Sequence, residues 1–308
     1  MKRESNKPGG LIIVDKPAGF TSHDVVAKMR GMARTRRVGH AGTLDPMATG
    51  VLVLGIERAT KLLGHLALTE KEYVGTIRLG QTTVTDDAEG EITASKAAHG
   101  LAREDIDAGI AALSGAIMQV PSKVSAIKID GKRSYSRVRE GEDVEIPARP
   151  VTVSSFVLYS VTETEAADGT PVTDLLVSVE CSSGTYIRAL ARDLGAGLGV
   201  GGHLTALRRT RVGPYKLDRA RTLEQLQAAV DDAEGPGLPV MPIGEAAAAA
   251  FTRWDVAEPQ ARLLMNGARI PIPRFEAEGP VAAFGPDGTF LALVENQGGK
   301  AKSLAVFG

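Results

Sequence analysis

The chain has 308 residues, of which 43% are hydrophobic and 24% are charged, and its formal net charge is −1. This length and composition are typical of a folded protein of one or two domains and exclude a largely disordered chain. A single cysteine, Cys181, excludes an intrachain disulfide and a cysteine-rich zinc site, and the absence of a signal peptide or a long apolar run predicts a cytoplasmic protein.

The predicted elements begin with a short buried strand over residues 10–15, which ends at a turn with Pro and Gly over residues 16–19. Ser22 is expected to be the N-cap of a helix, because apolar residues follow it at helical spacing: Val25, Val26, Met29 and Ala33. A strand over residues 72–79 and an amphipathic helix over residues 101–113 come next. The first half of the chain therefore mixes strands and helices.

The second half continues with strands over residues 151–158 and 175–181, followed by a helix from about residue 185 to 194 that Gly195 is expected to close. The acid-rich stretch 231–242 is the best candidate for a linker. Beyond it, residues 281–284 and 290–294 fit a hairpin, and residues 302–307 a last strand. We therefore predict a large mixed domain over residues 1–235 and a small, strand-rich domain over residues 240–308.

Basic residues are concentrated in three segments, although the net charge of the chain is close to zero. Residues 25–44 carry five Lys or Arg and no acid, whereas residues 123–139 and 203–221 each carry six against one Asp. Any one of these segments could be an ordinary solvated surface. If the three meet on one face, that face would bind a polyanion such as a nucleic acid.

Residues 37–50 form a glycine-rich loop between a basic helix and an apolar strand. Asp45 lies in this loop directly before Pro46, which favours an extended backbone at Asp45. An Asp in such a position can simply cap a turn or the next helix. A carboxylate held in a shaped loop beside basic residues can also be a nucleophile or a general base. The loop alone does not distinguish these two roles.

A series of motifs over residues 10–213 resembles, in the same order, those of the TruB-type tRNA pseudouridine-55 synthases. The matching motifs are Gly10-Leu11, Asp15-Lys16-Pro17, Thr21-Ser22-His23, residues 39–46 and 48–50, Ala59-Thr60-Lys61, Lys71-Glu72-Tyr73, Ser125-Ala126-Ile127-Lys128, Asp130-Gly131-Lys132, residues 183–188, Gly202-His203-Leu204 and Leu207-Arg208-Arg209. Each motif is weak by itself, but the ordered set is specific. The resemblance implies an α+β pseudouridine synthase fold, with a mixed, mostly antiparallel sheet flanked by helices, and a PUA-like C-terminal domain.

The resemblance also implies a catalytic set. Asp45 would be the nucleophile that isomerises uridine 55 in the T-loop of tRNA, after this uridine has flipped out of its stack. Arg188 would lie beside the carboxylate and favour its ionised form. Tyr73 would stack on the flipped base and act in proton transfer, although a tyrosine next to a strand start can equally be a core residue.

Further residues are assigned to substrate binding by the same resemblance. His40 would fill the space that the uridine leaves, although a lone histidine in a loop is more often structural. Tyr186 and Leu207 would line the uridine pocket. A basic insert over residues 124–149 would clamp over the RNA stem-loop. Contacts with RNA phosphates, which position RNA without reading its sequence, are expected from Lys16, Lys61, Lys128, Lys132, Arg208 and Arg209. No cofactor is expected, because the reaction is an isomerisation. No metal is expected, because no second histidine or carboxylate lies at ligand spacing from His40.

The chain departs from the family pattern just before the insert. Residues 119–124 lack the second proline and the tyrosine that the family commonly has there. Arg192, one helical turn after Arg188, is interpreted as an ordinary surface arginine. Two rival functions remain open: a non-catalytic RNA-binding protein on the same scaffold, and a guide-RNA-dependent enzyme. We expect a stand-alone monomer that binds the T-arm stem-loop of tRNA, without a guide RNA and without a membrane.

Overall fold

The computed structural model describes residues 9–122, 146–232, 234–235, 237–276 and 279–307, together with the backbone of residues 128–129 and 132–133. The strands are β1 (Gly10–Lys16), β2 (Val38–His40), β3 (Thr49–Ile56), β4 (Lys71–Leu79), β5 (Gln81–Thr83), β6 (Ile92–Ser95), β7 (Gly115–Gln119), β8 (Lys128–Ile129), β9 (Lys132–Arg133), β10 (Arg149–Glu165), β11 (Pro171–Cys181), β12 (Gly202–Val212), β13 (Tyr215–Lys216), β14 (Met241–Pro242), β15 (Thr252–Asp255), β16 (Ile270–Pro271), β17 (Val281–Phe284), β18 (Phe290–Gln297) and β19 (Lys300–Val306). The α-helices are α1 (Ser22–Met32), α2 (Leu63–Leu66), α3 (Arg103–Ala112), α4 (Ile187–Gly197), α5 (Leu223–Asp231), α6 (Ile243–Ala250) and α7 (Glu258–Met265). This combination confirms the predicted α+β class.

The chain divides into two compact units. The first contains residues 1–45, 50–68 and 212–308, and the second contains residues 46–49 and 69–211. The predicted domain boundary between residues 235 and 240 stays a prediction. Met241 and Pro242, which the sequence places in a linker, form β14 and pair with β1.

In the first unit, β1 lies between β3 and β14, and β2 pairs with the last three residues of β3, from Leu54 to Ile56. The pairing of β1 with β3 is antiparallel and runs from Gly10 opposite Ile56 to Lys16 opposite Gly50. Helix α1 packs its predicted apolar side chains, Val25, Val26 and Met29, against alternate residues of both strands: Ile12, Val14, Leu52 and Leu54. Each side chain buried in this way contributes roughly 1.5–3 kcal/mol.

The C-terminal part of the first unit forms a five-stranded sheet in the order β15, β17, β18, β19, β16. The predicted hairpin is confirmed, since β17 and β18 pair antiparallel from Val281 opposite Val294. Its aromatic core stacks Phe290 between Phe284 and Phe307, with ring centroids 5.3 and 4.7 Å apart. The predicted β-rich C-terminal region is therefore present.

In the second unit, the strands follow the order β12, β4, β11, β10, β7. Every second residue of β4 is buried, from Lys71 through Tyr73 to Leu79, and the predicted strand over residues 72–79 is confirmed. Strand β10 is longer than the predicted strand over residues 151–158, because its polar second half pairs with β11 up to Glu165.

Gly195 does not close helix α4, so the predicted helix end is wrong. The helix continues to Gly197. Gly195 lies instead against the main chain of Gly201, where an added Cβ would come within 2.2 Å of the Gly201 carbonyl carbon. The glycine is needed for this close approach of two main-chain segments.

Candidate active site

The loop that carries Asp45 is fixed by a side chain of α1. The Ser22 hydroxyl accepts a hydrogen bond from the Leu44 N–H at 2.9 Å and donates to the Leu44 carbonyl at 3.1 Å. Ser22 and Leu44 are both buried. The main chain directly before Asp45 is therefore held on both sides, while the Asp45 side chain is only half-buried.

This use of Ser22 shows that the predicted N-cap is wrong. Thr21 caps α1, since its side chain accepts from the Asp24 N–H and the Asp24 carboxylate accepts from the Thr21 N–H. Thr21 therefore caps α1, and Ser22 fixes the main chain of the loop that carries Asp45.

Two glycines shape the same loop. Gly42 has φ 88° and Gly50 has φ 100°, values that side-chain-bearing residues rarely adopt. Between them, the hydroxyl of Thr49 accepts a hydrogen bond from Arg208 Nη1 at 3.2 Å. His40, predicted to fill the space left by the uridine, precedes Gly42 and packs edge-on against the ring of His23 at 5.5 Å.

Arg188, the predicted catalytic arginine, lies in the first turn of α4 with 7% of its side chain exposed. Its Nη1 donates to the Thr85 carbonyl at 2.8 Å and lies 3.4 Å from Asp87 Oδ2. Asp87 is also buried, and its Oδ1 accepts from the Thr85 hydroxyl and, at 3.0 Å, from the Glu89 N–H. A buried carboxylate with these partners holds the guanidinium in one orientation.

Tyr73 and Leu207 lie in neighbouring strands of the second unit. Tyr73 is 8% exposed, on the buried side of β4 opposite Val179. Leu207 on β12 is 7% exposed, and its Cδ1 lies within 3.4 Å of the point where Gly75, the next buried position of β4, would carry a Cβ. The same Cβ would lie only 2.9 Å from the Ala206 carbonyl oxygen, so a glycine at position 75 allows the main chain of β12 to approach β4 closely.

Gln119 is a site residue that the sequence did not predict. Its side-chain amide donates to the Tyr186 carbonyl at 3.1 Å, and its side-chain oxygen accepts from the Tyr186 N–H at 2.8 Å. Gln119 is 2% exposed. This reciprocal pair fixes the main chain of Tyr186, the N-cap of α4, two residues before Arg188.

A Gln119→Met variant is expected to lose about 2–4 kcal/mol of unfolding free energy, because two partly buried main-chain groups of Tyr186 lose their hydrogen bonds. Chemical denaturation measures this loss. A matched control is Gln227→Met, which removes an exposed amide bonded to Asp231 and should cost less than about 0.5 kcal/mol. Equal losses in the two variants would contradict a structural role for Gln119.

Lys71 is a buried cation two residues before Tyr73, and its Nζ donates to the Thr69 carbonyl at 2.5 Å. Burial, followed by the charge of Arg209, lowers the pKa of Lys71 to about 8. In the unfolded chain a lysine pKa is about 10.4. Between the two values the unfolded chain binds more protons, so the free energy of unfolding rises with pH.

Relative to a Lys71→Met variant, the wild-type chain is expected to gain on the order of 2 kcal/mol of unfolding free energy between pH 7.5 and pH 10.5. Urea denaturation at a series of pH values measures the difference. Lys300→Met, which removes an exposed lysine, should follow the wild-type curve. Parallel curves for wild type and Lys71→Met would contradict the lowered pKa.

The residues predicted to contact phosphates lie in different environments. Lys16 is fully buried and its Nζ donates to the carbonyls of Pro17 and Phe20. Lys61 donates to the Val306 carbonyl and lies 5.7 Å from the centre of the Phe307 ring. Arg209 is 1% exposed, whereas Arg208 is half-buried. The side chains of Lys128 and Lys132, and most of the insert over residues 124–149, lie outside the described residues.

Asp45 and His40 belong to the first unit, and Tyr73, Arg188 and Leu207 belong to the second. That these side chains form one active site stays a prediction. Within the described part of the chain, no group of three or more His, Cys, Asp or Glu could hold a metal ion. In the same part, no helix has the length and apolarity needed to cross a bilayer.

Three family descriptions match successive parts of the chain. Residues 30–187 match the N-terminal domain of the TruB family of pseudouridylate synthases. Residues 188–238 match the C-terminal domain of tRNA pseudouridylate synthase B, and residues 251–308 match the C-terminal region of tRNA pseudouridine synthase II. The matches cover both units.

Known proteins agree with these matches. Proteins named tRNA pseudouridine synthase B from Streptomyces griseus and Streptomyces avermitilis are each 74% identical, over 100% of both chains. A solved Cbf5-Nop10-Gar1 complex contains a chain with 26% identity and a TM-score of 0.72, over 97% of this chain and 84% of that chain. The predicted pseudouridine synthase fold is therefore confirmed.

Proposed function

Because the chain belongs to the TruB family of pseudouridylate synthases, we propose that it isomerises a uridine of tRNA to pseudouridine, and that this is uridine 55 in the T-loop. The observation that carries the proposal is the 74% identity, over the whole chain, with proteins named tRNA pseudouridine synthase B. The T-loop position and the residue roles rest on the order of the sequence motifs.

Asp45 is the proposed nucleophile. The reaction breaks the bond between N1 of uracil and C1′ of ribose, turns the base, and forms a bond between C5 and C1′. The C5 hydrogen leaves as a proton and N1 gains a proton, so no electrons are gained or lost. The carboxylate acts on the nucleotide to weaken the N1–C1′ bond. The two hydrogen bonds between Ser22 and Leu44 support this role, since they hold the main chain next to Asp45 in place.

Arg188 is proposed to keep the Asp45 carboxylate ionised and oriented. This role requires a guanidinium with a fixed direction, and the contacts with Thr85 and Asp87 supply one. Asp87 acts through Arg188 and is a positioning residue. Tyr73 is proposed to stack on the flipped base, with Tyr186 and Leu207 along the pocket.

A uridine in a folded T-loop must leave its stack before Asp45 can reach it, at a cost of a few kcal/mol. His40 is proposed to occupy the vacated space. Phosphate contacts are proposed for Lys61, Lys128, Lys132 and Arg208. Lys16 and Arg209 are buried, and their proposed role is to stabilise, from the protein interior, the loops that contact RNA. The free energy of these contacts offsets the cost of extrusion, and it falls as salt rises.

The test uses a T-arm stem-loop that carries tritium at C5 of every uridine, with no guide RNA and no added metal. Bond formation at C5 releases the tritium, so the proposal predicts release equal to one uridine per stem-loop. A stem-loop with cytidine at the target position should release none. Tight binding without release would favour the rival function, an RNA-binding protein on the same scaffold.

A further inference from the structure

Two adjacent acids face two arginines that are one helical turn apart. Asp86 and Asp87 follow each other in the loop after β5, and Arg188 and Arg192 are four residues apart on α4. The Arg188–Asp87 pair is buried, and Arg192 Nη1 lies 3.2 Å from Asp86 Oδ2, with 26% and 14% of these side chains exposed. The loop and the helix are therefore joined at two points.

Arg192 has further partners, so its interpretation as an ordinary surface arginine is wrong. Its Nη2 donates to the Val120 carbonyl at 2.8 Å, and its Nε donates to Asp193 Oδ1 at 2.8 Å. All three nitrogens of the guanidinium are thus engaged, as the rigid fork of an arginine allows. Val120 directly follows β7, four residues before the segment predicted to clamp over RNA begins at residue 124.

Ser122 completes the cluster, in the run that lacks the family's second proline. It is fully buried, and its hydroxyl has no hydrogen-bond partner of good geometry, although it lies near enough to the Asp86 carboxyl to lower its pKa. Burial outweighs this effect and the charge of Arg192, so the pKa of Asp86 is raised overall. Ser122 therefore places a hydroxyl group in this cluster, where a proline would place only apolar side-chain atoms.

The main chain at Asp86 is strained. Its φ is 59°, in the left-handed region, which residues with a side chain seldom adopt. The Asp86 carbonyl accepts from the Leu204 N–H at 3.0 Å, and its carboxylate holds Arg192. Such a conformation persists only where the surroundings hold it, and here those surroundings include α4.

We propose that Asp86 and Arg192 are positioning residues for the reaction: they hold the loop that carries Thr85 and Asp87 against α4 and so orient Arg188. The same guanidinium also binds the Val120 carbonyl, directly after β7. This role rests on the proposed function of Arg188.

Loss of the Asp86–Arg192 ion pair removes one of the two ion pairs that connect the loop after β5 to α4. Asp86 can then leave its strained conformation, and Asp87, the next residue, shifts relative to Arg188. A displacement of about 1 Å near a reacting group can lower a rate by roughly 100-fold. Binding of RNA through distant phosphate contacts is not affected by this shift.

The test measures the single-turnover rate at saturating T-arm stem-loop, and Kd separately, for Asp86→Asn, Arg192→Met and the double variant. Asn tolerates the left-handed region as well as Asp does, so Asp86→Asn removes only the charge. Each single change is expected to lower the rate by roughly 10- to 100-fold, with little change in Kd. The double variant should be no slower than the slower single variant, because both changes break one interaction.

Arg78→Met is the matched control. Arg78 makes a bidentate pair with Asp174, and their side chains are 24% and 21% exposed. This pair joins β4 to β11 and not the loop after β5 to α4. The variant should lose stability and keep the wild-type rate. A wild-type rate in Arg192→Met or Asp86→Asn, or rate losses that multiply in the double variant, would overturn the inference. An inactive wild-type chain would instead refute the proposed function.

Discussion

An Asp45→Asn variant is expected to bind the T-arm stem-loop and to form no pseudouridine in it. Asn has nearly the same shape as Asp but no charge, so it cannot act as a nucleophile. The single-turnover rate should fall by at least about 10⁴-fold, as when other enzymes lose a nucleophile. The fold should be unchanged, because Asp45 is half-buried and the Ser22 contacts with Leu44 do not involve its side chain.

The matched control is Asp218→Asn. Asp218 is exposed, and it is the one acid among the basic residues of segment 203–221. Its replacement removes the same charge, so any gain in RNA affinity that comes from charge alone appears in both variants. A rate for Asp45→Asn within about tenfold of wild type would be too fast for a lost nucleophile and would remove Asp45 from its proposed role.

The second large effect is expected at Arg188, where Arg188→Met should lower both rate and stability. The rate should fall by about 10³-fold, since a charged group beside the reacting centre is lost. The free energy of unfolding should fall by about 3–5 kcal/mol, because Asp87 stays buried without its cation. Single-turnover assays and urea denaturation measure the two losses on the same samples.

A double variant separates the two effects. Arg188→Met combined with Asp87→Asn leaves no unpaired buried charge, so most of the stability should return. The rate should stay low, because neither change restores a guanidinium. If the double variant recovers the rate together with the stability, Arg188 acts only through the fold. Arg188→Lys keeps the positive charge but not the planar guanidinium group. Its rate should therefore lie between the rates of Arg188→Met and the wild-type chain.

Much of the fold follows from local patterns. The period-two alternation of β4 and the hairpin of β17 and β18 are visible in the sequence, because each buries one face or one core. Local patterns do not decide between equivalent residues. Thr21 and Ser22 both carry a hydroxyl at the start of α1, and only the distant Leu44 shows which of them is free to cap.

The candidate site was less predictable where a role depends on a distant partner. Asp45 is found from the order of its motifs, but Asp87 and Gln119 are not, since their partners in α4 lie far along the chain. Gln119 and Tyr186, for example, are 67 residues apart. The charge of a residue also does not show whether its side chain is buried. Lys16 and Arg209 belong to basic motifs, yet the side chains of both are buried. Side chains of this kind are almost never fully buried unless paired.

The most direct test of the central claim is a nucleotide-resolution map of pseudouridine in a full-length tRNA transcript after incubation with the purified chain. We expect one pseudouridine, at position 55 in the T-loop, formed without guide RNA and absent after incubation with Asp45→Asn. Pseudouridine at another position, or a transcript left unchanged by a chain that binds it, would contradict the proposed function.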